Sequence, residues 1–259
     1  MEAQINGKAI TKVLRAQSYQ GRGIIMGRSP AGNKAIVAYF IMGRSENSRN
    51  RVFVESGIHG KDVRAKAFDE KLVTDPSLII YTPVKVFGGK IVVSNGNQTD
   101  DIVRLMNDQL TFEQSLRFFT FEPDAPYYTP RISALMHFCD DDVFKYALSI
   151  AKTADGNPKS CQRFLYTYPE PIAGQGHFIH TYGDDEDTLP SFKGEPHAFK
   201  TTNDIDEFAQ SVWGALDEDN KISLFVRYVD ISNGETQSRI INKNKRSLEY
   251  VERSESQKA

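Results

Sequence analysis

The chain has 259 residues, 39 % hydrophobic and 25 % charged, with a formal charge of −2; this suits a soluble globular protein of one large domain or two small ones and excludes a global field for nucleic acid or an acidic membrane. No apolar run approaches the roughly 20 residues of a bilayer span, and the start, "MEAQINGKAITKVLR", lacks the apolar core of a signal peptide. The two cysteines, Cys139 and Cys161, make neither a disulfide framework nor a zinc motif, so the expectation is a cytoplasmic protein without a metal, both thiols buried or inert.

Strand signals dominate the first hundred residues. Residues 23–27, 34–43, 51–56, 78–88 and 90–95 are β-branched and aromatic runs punctuated by Gly and Asn. Gly88-Gly89 predicts a hairpin between the last two. A helix follows, with Thr99 as its expected cap, Asp100 and Asp101 at the positive end of the dipole, and Ile102, Leu105, Met106 and Leu110 on one face. Thr111 and Gln114 form a capping box for a second helix carrying Phe112, Leu116 and Phe119. Residues 131–138, "RISALMHF", fit a strand or a helix.

Strands resume at 143–151, 162–168 and 176–182, with "DGNP" (155–158) as a turn and the acidic run 184–187 as a solvated loop. "NDIDEFAQSVWGAL" is an amphipathic helix with Ile205, Phe208, Val212 and Leu216 on one face and Asn203 as its expected cap. Strands 221–230 and 236–242 end the pattern as a hairpin. Grouped helices and many strands predict an α+β protein with mostly antiparallel sheets. No repeat or linker divides the chain, so residues 1–259 read as one domain, with a frayed or partly helical tail from about 243.

The motifs for phosphate loops, dinucleotide binding and zinc proteases are missing. His177 and His180 are three apart, which on a strand turns them to opposite sides, one to the core and one to the surface. Nothing resembles a nucleophile elbow, and Met1-Glu2 offers no processed terminal nucleophile. Three segments remain that set polar groups at strand ends: "MGRSENSRNR" with Arg44, Arg49, Asn50 and Arg51; "SNGNQTDD" with Asn95 and Gly96; and "FEPDAPYYTPRIS" with Glu122, Asp124, Tyr127 and Arg131. The plain readings are a solvated turn, a tight turn leading into a helix, and a proline-stiffened connection.

Taken in order with the early "GR", "AYFIMGRSENSRNR", Tyr81, "VVSNGNQTD" and "FEPDAPYYTPRI", these segments resemble the archaeal-type inosine monophosphate (IMP) cyclohydrolases. A weaker match follows around "HTYGDDEDTLPSFKGEPHAF". The resemblance runs from about Gly21 to the last hairpin. It implies a four-layer αββα sandwich of two mainly antiparallel sheets, similar to the N-terminal nucleophile hydrolase fold but without the processed nucleophile. It also implies closure of 5-formamidoimidazole-4-carboxamide ribotide to IMP, the last step of purine synthesis, with a purine ribonucleotide as small-molecule partner and no cofactor.

By matching position, the family's catalytic arginine, tyrosine and glutamate fall on Arg51, Tyr81 and Glu122. Arg51 either polarises a carbonyl or holds phosphate; Tyr81 donates to the formyl oxygen or relays a proton; Glu122 accepts a proton from the carboxamide nitrogen or orients it. Asn95 and Gly96, then Asn50, Arg44, Arg49 and Arg131, are the expected substrate ligands. Ordinary alternatives stand beside them: Tyr81 as a strand aromatic, Glu122 ending a helix, Arg44 and Arg49 pairing with Glu46, Arg131 supporting its loop. An amide hydrolase on the same fold, and a nucleotide-binding protein without catalysis, are the competing functions. A homo-oligomer is compatible with such a fold, and no segment marks its interface.

Overall fold

The run "KAIVAYFIM" forms strand β3 (Lys34–Met42), buried from Ala35 to its end. A strand with no polar face needs cover on both sides, and that requirement shapes the molecule. The computed structural model describes residues 7–73, 80–138, 145–183 and 189–244. With strands numbered in chain order, one seven-stranded sheet runs β1 (Lys8–Ala9), β12 (His197–Lys200), β11 (Gln175–His180), β2 (Arg22–Arg28), β3, β13 (Lys221–Asp230) and β14 (Thr236–Asn242). The second runs β10 (Asn157–Tyr168), β9 (Lys145–Ala154), β8 (Arg131–His137), β7 (Lys90–Ser94), β6 (Tyr81–Phe87), β5 (Asp62–Ala67) and β4 (Arg51–Ser56). Among the described residues only β1 and β12 pair in parallel; their neighbours are antiparallel.

Alternation along each strand sorts its side chains between two cores. Ile24, Tyr39 and Phe225 of the first sheet meet Phe53, Val93 and Ile150 of the second. Their chain neighbours Ile25, Phe40 and Leu224 pack outward against α1 (Ile10–Leu14) and α5 (Ile205–Ala215). On the far side Val92 and Leu135 lie under α3 (Gln98–Asn107) and α4 (Phe112–Leu116). The result is helix, sheet, sheet, helix: an α+β sandwich of two mainly antiparallel sheets. A single-turn helix, α2 (Glu46–Arg49), sits between β3 and β4.

The hairpin at Gly88-Gly89 sets Phe87 opposite Lys90, with positive φ at both glycines, the geometry of a two-residue turn that matches strand twist. "RISALMHF" resolves as strand, because β8 lies between β7 and β9 with both faces covered. Both predicted single-residue caps move by a residue or two. Asn97 precedes α3 and Thr99 lies inside it, while Asp204, not Asn203, accepts from the amides of Asp206 and Glu207. Asn203 instead accepts from the amide of Ala31. β5 escaped the sequence reading, although "DVRAKA" alternates strictly between buried and exposed positions. Cys139, the acidic run 184–187, the outer ends of the strands expected from 78 and 143, and the tail beyond 244 lie outside the described residues.

Side chains also stitch the two sheets together, Asn242 among them. Asn242, at the end of β14, accepts from Phe53 N at 2.8 Å and donates to Phe53 O at 3.0 Å. Its amide thereby pairs with an edge strand as a neighbouring strand would, and Ser223 holds it from behind at 2.7 Å. Asn242→Ala leaves both backbone groups of Phe53 without that partner; it should lower unfolding free energy by about 1–3 kcal/mol, read as a shift of the denaturant midpoint at constant slope.

Candidate active site

Antiparallel order brings the starts of β2, β4, β6 and β8 and the end of β7 to one end of the gap between the sheets. A cavity of about 470 Å³ opens there, lined from both sheets. Arg22 opens β2 in register with Ile24 and Met26, so its side chain enters the space between the sheets rather than the helical face. Arg51 opens β4 and comes in from the other side, only 1 % exposed. Its Nε donates to Ser48 O at 2.7 Å, but its Nη2 and the Nε of Arg22 are buried with no hydrogen-bond partner.

Two guanidinium groups thus face one cavity, and among the described residues no ion pair holds either of them. Burial and then the charge of Arg22 push the Arg51 pKa down to about 10, the expected sign for a buried cation beside a like charge. Orphaned charged donors are costly unless something fills the site. The chemistry of this donor set calls for anionic oxygen.

Tyr81, the first residue of β6, meets Tyr39 of β3 hydroxyl to hydroxyl at 2.9 Å. This bond crosses between the sheets beside the arginines. Burial raises the Tyr39 pKa well above its ordinary value, and Tyr81 adds to it. Glu122 also lines the cavity, and its carboxylate makes no hydrogen bond among the described residues. Its pKa is raised: burial dominates, Arg22 and Arg131 oppose it, and Asp124 reinforces it. A weakly solvated carboxylate with a raised pKa is a competent proton acceptor near neutral pH.

The segment "SNGNQTD" is a self-contained network. Asn95 Oδ1 accepts from Ile132 N at 2.9 Å and from Gln98 Nε2 at 3.1 Å, while its Nδ2 donates to Pro130 O at 2.9 Å. Ser94 and Thr99 bond each other hydroxyl to hydroxyl, and whichever of the two accepts in that bond donates its own proton to Gly96 O. A Cβ on Gly96 would lie 2.6 Å from Gln98 Oε1 and 3.1 Å from Arg131 Nη1, so glycine here is a matter of space. Arg131 in turn donates to Gln98 Oε1 and Asn97 Oδ1. Asn95 lines the cavity, yet its oxygen is already engaged twice, so as a substrate ligand it has only an amide proton to offer.

The other expected residues divide. Arg44 lines the cavity, with its guanidinium 4.3 Å from the centroid of the Tyr19 ring. Arg49 and Asn50 do not line it. Arg49 Nε donates to Gly43 O, and Asn50 exchanges two bonds of 2.7 Å with the backbone of Asp69. Both shape the β3–β4 connection, and no ion pair joins Arg44 or Arg49 to Glu46 among the described residues.

Sequence reasoning passed over Arg22, Tyr19 and Tyr182. Arg22 had a signal: it is a charge at the head of an otherwise apolar strand. Tyr19 and Tyr182 come from distant loops and stack at 5.9 Å, which no local pattern reports. Asp124 accepts from Thr129 N at 2.7 Å and from the Thr129 hydroxyl. That hydroxyl has one proton, so the Tyr182 hydroxyl, 2.7 Å away, donates to it. The chain of bonds fixes the 122–131 loop against the Tyr182 wall. As for the two histidines, His177 bonds Tyr146 at 2.7 Å and His180 stacks on Phe178. They do face opposite ways, but neither is a surface residue, since both sides of β11 are covered.

Residues 19–235 match a family model described as an IMP cyclohydrolase-like protein. No curated protein matches the chain. Among the described residues no cluster of His, Cys, Asp and Glu could hold a metal ion, and no helix is long and apolar enough to cross a membrane.

Inorganic phosphate should stabilise the protein by filling the arginine pair, by about 2.7 kcal/mol at a hundred times its Kd. A thermal melt reads this as an upward shift of the midpoint, and Arg51→Met should remove most of it.

Proposed function

The chain belongs to the IMP cyclohydrolase-like family, and from that premise we propose that it closes 5-formamidoimidazole-4-carboxamide ribotide to IMP with loss of water. The observation that carries this reading is the buried, unpartnered guanidinium nitrogens, Nε of Arg22 and Nη2 of Arg51, beside the Tyr39–Tyr81 hydroxyl bond. Ring closure of this substrate is intramolecular. The carboxamide nitrogen attacks the formyl carbon, one proton leaves that nitrogen and one leaves the formamido nitrogen, and both end on the departing formyl oxygen as water. The tasks left to a protein are orientation, oxyanion stabilisation and proton transfer.

Each task has a residue at the cavity. The Glu122 carboxylate takes the proton from the attacking nitrogen; its raised pKa makes it a stronger base than an ordinary glutamate. The Tyr81 hydroxyl, steadied by Tyr39, donates to the formyl oxygen. Arg51 and Arg22 hold the negative charge that develops on that oxygen, which is where fixed buried donors outperform water. Arg44, exposed at the rim over Tyr19, is placed to meet the 5′-phosphate, with Arg131 held at the opposite loop by Gln98 and Asn97. Gly96 lets the substrate approach the backbone, and Asn95 positions the loop that presents it.

The deciding assay is conversion of the formamido ribotide by purified, metal-stripped protein, followed by IMP absorbance. Binding of IMP without turnover would sustain the inactive nucleotide-binding reading instead. Tyr81→Phe and Glu122→Gln should each lower kcat by roughly a hundredfold with little change in IMP affinity. Arg44→Ala should chiefly raise KM, the signature of lost uniform binding. Because only ionised Glu122 accepts the proton, kcat/KM should rise with pH through a pKa above the ordinary glutamate value of about 4.3, and Glu122→Gln should abolish that limb.

A further inference from the structure

A second cavity, about 920 Å³, lies on the other face of the first sheet, between α1 and the ends of β11 and β12. Its size falls within the range of roughly 300–1,000 Å³ typical of small-molecule sites. Lys8, Lys12 and Lys193 line it, and among its described lining residues there is no acid. One wall is aromatic: His180 stacks on Phe178 at 4.8 Å and on His197 at 5.3 Å, with Phe192 at 4.5 Å.

The floor holds acceptors. Gln20 is 1 % exposed, and its Oε1 has no hydrogen-bond partner, because its Nε2 alone reaches Leu14 O and Gln17 O. His180 Nδ1 lies 2.7 Å from Tyr182 O; a carbonyl can only accept, so Nδ1 carries the proton and Nε2 is an acceptor. Burial first, then His197, pushes the His180 pKa down to about 3, so the ring stays neutral. A ligand matching this cavity therefore has a flat aromatic body with N–H donors and an anionic tail for the lysines.

The two cavities share a wall. Gln17 Nε2 donates to Tyr19 O at 3.0 Å and Tyr182 O at 2.9 Å, and Tyr182 O also receives His180. Gln17, Gln20 and His180 face this cavity, whereas Tyr19 and Tyr182 face the one with the arginines. We propose that the second cavity is a binding site for a nucleoside phosphate, separate from the arginine site and coupled to it through the Tyr19–Tyr182 wall.

The test uses the full chain saturated with IMP and titrated with ATP or GTP by calorimetry, with an 8-azidopurine nucleotide as photolabel. Saturable binding in the presence of IMP is expected, with label mapping to the peptides around Lys8–Gln20 or Pro190–Ala198. Lys8→Glu with Lys12→Glu, both on exposed side chains, should weaken it by roughly tenfold or more while leaving the melting midpoint in place. Inorganic triphosphate and the free nucleoside should each bind more weakly than the nucleotide. Coupling predicts that the nucleotide changes IMP affinity, and IMP changes nucleotide affinity by the same factor. The proposal is overturned by no saturable binding, by indifference to the charge reversals, by inorganic triphosphate binding as tightly as the nucleotide, or by label confined to the 122–131 loop; unchanged IMP affinity overturns the coupling. The mapped label does not depend on turnover, so failure of the cyclohydrolase reading leaves this result separately legible.

Discussion

Two positive charges buried across a narrow gap set the terms for this protein. Arg22 comes from one sheet and Arg51 from the other, and among the described residues neither forms an ion pair, although Glu122 lines the same cavity. The sandwich holds them there because each heads a strand whose following residues are locked into the core between the sheets. A repulsive arrangement of this kind persists only where the surrounding packing over-determines it, and such places are usually where a ligand completes the structure. The tyrosines around the pair fit the same logic. They are large enough to close the end of the apolar core and polar enough to keep hydroxyl groups at the charged mouth.

What could be read from the sequence follows from how locally each feature is written. β3 and β13 are unmistakable because helices and a second sheet cover both faces, leaving long runs without polar interruption. β5 is short and half-exposed, and its alternation competes with three charged positions in a row of six, so it reads as surface. The cap of α5 illustrates the smallest scale. Asn203 and Asp204 are both good capping residues, and the choice is made by Ala31, whose amide takes the Asn203 side chain for another purpose. The cavity is legible in part for the same reason. Arg51, Tyr81, Glu122 and Gly96 lie in the longest matching segments, whereas Arg22 and Tyr182 lie in short or weaker ones and are brought together by the pairing of β2 with β11. Arg49 and Asn50 show the converse: residues beside a cavity-lining arginine in sequence are turned away by a single helical turn.

The polar segments also divide by task in a way that residue type alone conceals. Asn95, Gln98, Thr99 and Ser94 satisfy one another and the backbone, so their contribution is a rigid junction between β7 and α3. The arginines and Glu122 do the opposite and retain unmet hydrogen-bonding capacity. A site assembled this way couples a fully satisfied scaffold to under-satisfied groups, and the contrast itself marks which atoms await a ligand.

The strand order has a consequence for how the chain reaches this state. β3 needs β13 as its neighbour, pairing Lys34 with Asp230, and Phe53 needs Asn242. The first half of the chain therefore waits for the last hairpin before its most apolar strand is covered. Contacts so distant along the chain are associated with slow folding, and a ribosome adding roughly 5–20 residues per second leaves β2 and β3 without that partner for many seconds. During that interval the exposed edge of β3 is the segment most in need of a chaperone, and substitutions that soften the last hairpin should show themselves first as lost yield rather than lost turnover.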